Sequence, residues 1–243
     1  MSTGPTSAEE LERRDDIYRI QIKGDELHAK LGNGLPKGCI CLIEGEEGSG
    51  RSVLSQRLLY GTLLDNRSAS FISTEMTIRD FIDQMSTLNY RVEKHLLSRK
   101  LEFYPVYPLI GNAIQSRDDF LNKMMTSQAL YRNDLLFVDS LSTLIKSNLS
   151  ESGASRLLGF LKKLTNQKKS IVLTAEKGHA ALEPLRLASD VYINLEVKHV
   201  AGSQARIIQV KRYLRARGEV GDSVRYRIEA GVGMIIEITE VSG

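Results

Sequence analysis

The sequence has few of the residues that characterise several common classes of protein. In 243 residues it contains no tryptophan and only two cysteines, Cys39 and Cys41. A disulfide between residues two positions apart would close a very short loop, and the histidines are not clustered, so we expect no disulfide and no metal site built from cysteine and histidine. Both cysteines lie on a predicted strand, and we expect them to be small core residues.

Long apolar runs and a strong excess of charge are also absent. The longest uninterrupted apolar stretches are four or five residues, such as LLFV at 135–138, whereas a helix needs about 20 to cross a bilayer. The polar N-terminus has no apolar segment of the signal-peptide kind. The formal net charge is only +3, which by itself favours neither nucleic acid nor a membrane surface as partner. These absences predict a cytoplasmic protein.

Apolar strand patterns alternate with helical patterns along most of the chain. Residues 1–16 are polar and charged and predict a flexible tail. Buried strands are predicted at 39–44, 68–74, 135–140 and 170–176. From about residue 189 the hydrophobic period changes to two, which predicts a closing run of antiparallel strands. This order favours the α/β class, and we predict one domain over residues 17–243, with a mostly parallel sheet flanked by helices and extended by the antiparallel run.

The predicted helices are recognised by their apolar spacing and by capping residues. One follows the first buried strand and runs to about Leu64. A second opens at the capping pair Thr77 and Asp80. Two more are predicted at about 117–131 and at 155–167.

A glycine-rich loop, GEEGSGRS at 45–52, separates the first buried strand from a helix. It fits the pattern of a P-loop, in which backbone N–H groups turn inward around phosphate oxygens and the helix N-terminus adds the positive end of its dipole. The alternative is a tight turn that holds no ligand. As a P-loop, the segment predicts that nucleotide is bound by Gly45, Glu46, Glu47, Gly48, Ser49, Gly50, Arg51, Ser52 and Val53.

Three side chains fit a site that handles phosphates. Ser52 is placed to ligate Mg²⁺, and Asp139, at the end of the apolar strand LLFVD, lies where P-loop proteins hold that ion directly or through water. Glu75 ends another strand, so we predict its carboxylate at the same edge of the sheet. There it can activate the water that attacks a γ-phosphate, or it can be a solvated acid near a helix start.

A basic run, KRYLRARG at 211–218, contains no acidic residue. One interpretation is a solvated strand face and turn. The other is a set of cations, including Lys211, Arg212 and Arg217, that is offered to phosphates on a neighbouring subunit's nucleotide or on nucleic acid.

Several segments together resemble the RecA/KaiC superfamily of ATPases over about residues 17–240. They are GLPKGCICLIEGEEGSGRS, FISTE, LLFVDSLSTL, SIVLTAE and VKRYLRARG. The resemblance implies a RecA-type P-loop NTPase fold, with ATP and Mg²⁺ bound between adjacent subunits. It also implies that Glu75, 24 positions after Arg51, stands in the place of the catalytic glutamate, and that Lys211, Arg212 or Arg217 contacts the neighbour's phosphates in trans.

Within that superfamily, the single compact domain and the ending VRYRIEAGVGMIIEI are most similar to the FlaH family, the accessory ATP-binding proteins of the archaeal flagellum, or archaellum. This resemblance implies a cytoplasmic protein that sits at the membrane periphery through its partners. Those partners are the motor ATPase FlaI and the scaffold FlaX or its equivalents. The resemblance further implies hexameric rings and the use of ATP as a conformational signal with little or no turnover.

The sequence departs from the usual P-loop pattern at Arg51, where such loops carry a lysine. A lysine ammonium is a compact point charge, whereas a guanidinium is larger, planar and forked. The replacement keeps the positive charge but changes the geometry around the phosphates. We therefore predict ATP binding with, at most, very slow hydrolysis.

Two other functions stay open at this point. An active RecA/RadA-like, DNA-dependent ATPase would need a mobile DNA-binding loop, but only residues 177–189 lie between two predicted strands and they contain no aromatic residue to stack on bases. Nucleic acid is therefore not the partner we expect. A KaiC-like, ATP-dependent signalling protein would use serine or threonine residues near the site as phosphate acceptors.

Overall fold

The computed structural model describes residues 16–106, 117–145, 151–200 and 203–237. The flexible tail predicted for residues 1–16 lies outside these ranges except for Asp16. Among the helices in the described ranges, none is long and apolar enough to cross a bilayer.

The described residues form eleven strands, nine of which belong to one sheet. They are Ile17–Arg19 (β1), Gly34–Pro36 (β2), Ile40–Gly45 (β3), Ala69–Ser73 (β4), Leu101–Pro105 (β5), Leu135–Asp139 (β6), Ser170–Glu176 (β7), Val191–Val200 (β8), Ser203–Tyr213 (β9), Ser223–Glu229 (β10) and Gly233–Ile236 (β11). The pair β1 and β2 forms a separate two-stranded antiparallel sheet.

The α-helices of the described ranges connect and flank these strands. They are Leu27–Lys30 (α1), Arg51–Leu64 (α2), Ile78–Thr87 (α3), Glu93–Leu97 (α4), Arg117–Thr126 (α5), Leu141–Leu144 (α6), Glu151–Asn166 (α7) and Glu183–Ala188 (α8). Short 3₁₀ turns occur at Gln128–Tyr131 and Ala180–Leu182.

The large sheet has the order β11-β10-β9-β8-β3-β7-β6-β4-β5. The pairs from β5 to β8 are parallel, and those from β8 to β11 are antiparallel. This arrangement confirms the predicted α/β class with a mostly parallel sheet. The antiparallel run is more limited than predicted because β8, which follows helix α8, pairs parallel with β3 on its other side.

The strand ends that carry polar side chains meet at one edge of the sheet. In the parallel pairs, Gly45 lies opposite Glu176, and Ser73 lies opposite Asp139. Because parallel strands present their carboxyl ends at the same edge, the glycine-rich loop and the acids after β4 and β6 are brought together. We call this the carboxyl edge below.

Side chains of β3 alternate between two buried layers, one on each face of the sheet. Cys39, Cys41 and Ile43 belong to the layer that includes α2, and Ile40 and Leu42 belong to the other. Both cysteines are free and fully buried, which confirms them as core residues. The double-sided burial explains why this strand reads as a continuous apolar run.

Some predicted boundaries were wrong for local reasons. The helix predicted at 117–131 ends at Thr126 and is followed by a 3₁₀ turn, and the helix predicted at 155–167 begins four residues earlier, at Glu151. Strand β5 was not predicted, because it is short and ends in Pro105. As an edge strand it tolerates a residue that cannot donate a backbone hydrogen bond.

Candidate functional site

The glycine-rich loop turns the chain from the end of β3 into the first turn of α2. Gly48 and Gly50 have φ angles of 72° and 89°, in the left-handed region where a side chain is strained. A Cβ on Gly50 would also lie 2.9 Å from Cδ1 of Ile228 on β10. The sequence requires glycine at position 50 for two reasons, one conformational and one steric.

Four carbonyl oxygens of the loop accept hydrogen bonds, three of them from donors outside the loop. The Gly45 carbonyl accepts from the Lys177 N–H at 3.1 Å, and the Gly48 carbonyl accepts from Arg206 Nε at 3.2 Å. The Ser49 carbonyl accepts from the hydroxyl of Tyr226. Within the loop, Glu46 O accepts from the N–H and the hydroxyl of Ser49 at 3.2 and 2.6 Å.

This pattern favours anion binding, because a peptide plane that turns its C=O to one side turns its N–H to the other. With the carbonyls of Gly45, Glu46 and Ser49 engaged, the N–H groups of the residues that follow each of them are directed away from these donors. A set of N–H groups on a concave loop, next to a helix N-terminus, is a phosphate-binding arrangement.

Ser52 and Asp139 lie in contact at the carboxyl edge. The Ser52 hydroxyl donates to Oδ1 of Asp139 at 3.1 Å, and the Thr174 hydroxyl donates to the same oxygen at 2.5 Å. Burial raises the pKa of the Asp139 carboxyl, while the hydrogen bonds from Thr174 and Ser52 and the charge of Arg51 lower it. Thr174 was not predicted as a site residue, because a threonine inside an apolar strand carries no signal of its own.

Glu75 is exposed just beyond the end of β4. The hydroxyl of Ser73 accepts from the N–H groups of Glu75 and Met76 at 3.4 and 3.0 Å, which fixes the turn that carries it. The charge of Glu75 contributes to the raised pKa of Asp139, so the two carboxylates are electrostatic neighbours. The structure therefore brings Glu75 to the same edge as the loop.

Arg51 is half-buried at the first position of α2. Its Nη1 is buried and has no hydrogen-bond partner among the described residues. A buried donor without an acceptor is costly, so an anionic ligand in the loop would satisfy a group that the protein alone leaves unpaired. The residues present fit a bound phosphate chain.

The basic run starts on β9 and leads towards the end of the sheet opposite the loop. Strand β9 runs antiparallel to β8, whose Val191 lies opposite both Cys41 and Tyr213. The run therefore begins beside the middle of β3 and continues towards the start of that strand, away from the loop. The run leads away from the glycine-rich loop of its own chain.

All three cations predicted to act in trans have partners within the chain. Arg212 Nη1 donates to the carbonyls of Arg186, Leu187 and Ser189 at 2.9, 3.1 and 2.9 Å, and so caps the end of α8. Arg217 forms an ion pair with Asp16. Lys211 is exposed and donates to Gln209 at 2.6 Å.

A buried ion pair supports the loop from the strand side. Glu44, the residue before Gly45, is only 1% exposed and accepts from Arg186 Nε and Nη2 at 2.7 and 2.8 Å. The hydroxyl of Tyr192 also donates to Glu44, at 2.7 Å. Arg186 belongs to α8, so residues 177–189, the space considered for a DNA-binding loop, fold into a 3₁₀ turn and a helix tied to β3.

Comparison with known proteins gives consistent matches over nearly the whole chain. The family model described as "ATPase: KaiC" matches residues 19–241. The archaeal flagellar ATP-binding protein FlaH of Methanocaldococcus jannaschii is 36% identical over 230 residues, which cover 93% of this chain and 98% of that protein. FlaH of Methanococcus voltae is 37% identical over 227 residues, covering 92% and 98%.

Solved structures give the same grouping. The crystal structure of flagellar accessory protein FlaH from M. jannaschii superposes with a TM-score of 0.85 at 36% identity, covering 92% of this chain and 100% of that one. The KaiC-like protein PH0186 of Pyrococcus horikoshii superposes with a TM-score of 0.71 at 16% identity, covering 91% and 100%, which supports the fold alone.

Proposed function

The chain belongs to the KaiC family of ATPases and to the FlaH family within it, as its motifs predicted. On that premise, we propose that it is an ATP-binding regulatory component of the archaellum. The observation that carries the proposal is the loop at 45–50, whose carbonyls of Gly45, Gly48 and Ser49 accept from donors elsewhere in the chain while Arg51 keeps a buried donor unpaired. The relatives' names supply the biological setting, and the loop supplies the ligand chemistry.

In this proposal the loop and the start of α2 wrap the phosphates, with residues 45–53 as the binding segment. Mg²⁺ would be held with the nucleotide by Ser52 and, directly or through water, by Asp139, whose oxygens are 3.1 Å apart. A bound Mg²⁺ would neutralise charge on the phosphate oxygens. Glu75 is the residue that would activate water, and Arg51 limits how far that chemistry proceeds.

The test of ATP binding is a thermal shift of the purified protein with Mg²⁺ and ATP. At an ATP concentration about 100 times the Kd, ligand binding adds about 2.7 kcal/mol to the stability of the folded state. For a chain of this size we expect a rise in Tm of about 5–10 °C. Gly50→Ala should lose most of this rise, because both its φ angle and its contact with Ile228 exclude a side chain.

A matched control separates this effect from general strain. Gly231 also has a left-handed φ angle, 77°, but a Cβ there has no neighbour within 4 Å, and the residue lies in the turn between β10 and β11. We expect Gly231→Ala to keep the ATP-dependent rise. If the wild-type protein shows no rise at saturating ATP, the proposed function is wrong.

We further propose that the protein forms hexameric rings in which the basic run faces a neighbour's nucleotide. The run leads away from the loop of its own chain, which supports an action in trans. Lys211 has no role in holding its own fold beyond one exposed contact, so it is the best placed of the three cations. Arg212 and Arg217 would have to leave their present partners.

The proposed partners are the motor ATPase FlaI and the scaffold FlaX or its equivalents, at the cytoplasmic periphery of the membrane. If ATP is a conformational signal, co-precipitation with purified motor ATPase should differ by at least about tenfold between saturating ATP and no nucleotide, a coupling within the usual range for two linked sites. Gly50→Ala should abolish that difference. Equal capture in both conditions would contradict the signalling role while leaving ATP binding intact.

A further inference from the structure

The outer side of the glycine-rich loop is held by two residues that lie far along the chain. Arg206 and Tyr226 donate to the consecutive carbonyls of Gly48 and Ser49. They belong to β9 and β10, strands of the antiparallel extension rather than of the parallel part that bears the loop. The extension therefore contacts the site directly.

The sheet register explains how the two donors act as a unit. Arg206 and Tyr226 lie directly opposite each other in the β9–β10 ladder. Residues paired in this way project their side chains from the same face and are close neighbours. Ile228, two positions further along β10, projects from that face as well and closes on Gly50.

The contact made by Tyr226 determines the orientation of one phosphate-facing group. Its hydroxyl holds the carbonyl of Ser49, so the N–H of Gly50, on the opposite side of the same peptide plane, is directed away from Tyr226. Tyr226 itself is only 1% exposed, so water cannot easily replace the lost donor if the hydroxyl is removed. Gly50, with its left-handed φ, would then be free to let the peptide rotate.

We propose that Arg206 and Tyr226 are positioning residues that clamp the loop in its phosphate-binding conformation and so link nucleotide binding to the antiparallel extension. The inference rests on the proposed function, since it assigns these residues to the same ATP site. It assigns a role in nucleotide binding to two residues that lie outside the loop. The clamp acts on the protein backbone and need not contact the nucleotide.

The test is the affinity of Tyr226→Phe for phosphate ligands, measured by competition against a fluorescent ATP analogue. We expect ATP and inorganic tripolyphosphate to bind about tenfold more weakly, because one buried carbonyl loses its donor and the loop must be reordered on binding. Affinity for AMP should change by less than about threefold, because AMP lacks the phosphates that the loop wraps. A general loss of folded structure would weaken all three ligands alike.

Tyr213→Phe is the matched control. Its hydroxyl also donates to backbone carbonyls, those of Leu31 and Gly34 at 2.9 and 2.8 Å, but at the opposite edge of the sheet. We expect this variant to be destabilised without a change in ATP affinity. If wild-type protein binds ATP and Tyr226→Phe binds it equally well, the clamp is wrong and the proposed function stands. If wild-type protein does not bind ATP, both are wrong.

Arg206 provides a second test, with a substitution that does not alter a buried side chain. Its contact with Gly48 is at the surface, so Arg206→Gln should fold normally and weaken ATP and tripolyphosphate by about threefold. Arg206→Lys, which keeps a cationic donor, should recover most of the affinity. Equal affinities for wild type, Arg206→Gln and Tyr226→Phe would overturn the clamp.

Discussion

Replacing Arg51 with lysine is expected to raise the rate of ATP hydrolysis by about a hundredfold, the effect that correct positioning of reacting groups commonly has. Arg51 lies at the first position of α2, directly after the loop, and in the proposed site its side chain would contact the phosphates. A guanidinium is planar and forked, so it would contact the phosphates with a different geometry from that of a compact ammonium. Lysine would restore the point charge without changing the net charge.

The gain should depend on Glu75. If Arg51 alone limits the reaction, then the double variant Arg51→Lys, Glu75→Gln should return to the wild-type rate, because an amide cannot accept the proton of the attacking water. Phosphate release at saturating Mg²⁺ and ATP measures the rate. Arg79→Lys is the control, since this arginine is exposed on the next helix, with 89% of its side chain accessible.

Two outcomes would contradict this account of Arg51. Wild-type turnover of about one per second, at the lower end of ordinary enzymes, would mean that arginine is compatible with hydrolysis. An Arg51→Lys variant that binds ATP but hydrolyses it no faster would mean that another feature prevents the reaction. The exposed position of Glu75 would then be the next candidate.

The parts of the fold that were predicted from sequence are those with local signals. Strand β7 has the predicted bounds, and helix α3 begins at the predicted capping box of Thr77 and Asp80. The loop, Asp139 and Glu75 lie at one edge because parallel strands end together. This could be predicted once short motifs had identified the strands that precede these residues. The roles assigned to these residues and the single domain over 17–243 stay predictions.

The contacts that support the loop could not be predicted, because they join residues far apart in the chain. Arg206 and Gly48 are 158 positions apart, and Tyr226 and Ser49 are 177 apart. In the sequence, Tyr226 lies in a strand pattern of period two and cannot be distinguished from any aromatic residue of the core. Only the register of β9 against β8 determines that Arg206 reaches the loop while Arg212 and Arg217 lie at the other end of the sheet.

Removing Arg186 is expected to produce the largest loss of stability that the site allows, about 3–5 kcal/mol, because it leaves the carboxylate of Glu44 buried without its cation. Two of the three groups that donate to Glu44 would be lost with the guanidinium, and only the hydroxyl of Tyr192 would remain. Urea unfolding of Arg186→Ala at neutral pH measures the change in the free energy of unfolding.

The same arginine provides the control for this prediction. Its second ion pair, with Glu183, is at the surface, where 60% of the glutamate side chain is exposed. Glu183→Ala should therefore cost less than about 1 kcal/mol, since exposed pairs contribute little. Adding Glu44→Gln to Arg186→Ala should recover part of the loss by removing the buried charge. If Arg186→Ala and Glu183→Ala reduced the free energy of unfolding equally, the buried pair would not be the main source of this stability.

The ion pair between Arg186 and Glu44 is also expected to affect ATP binding, because Glu44 adjoins the glycine-rich loop. Glu44 is the last residue before Gly45, so its side chain fixes the point where β3 leaves the sheet and the loop begins. We expect Arg186→Ala to weaken ATP binding as well as folding, and Arg186→Ala with Glu44→Gln to recover both together. Recovery of stability without recovery of ATP affinity would mean that the guanidinium, through its bond to the His179 carbonyl, orders the loop after β7 rather than the glycine-rich loop.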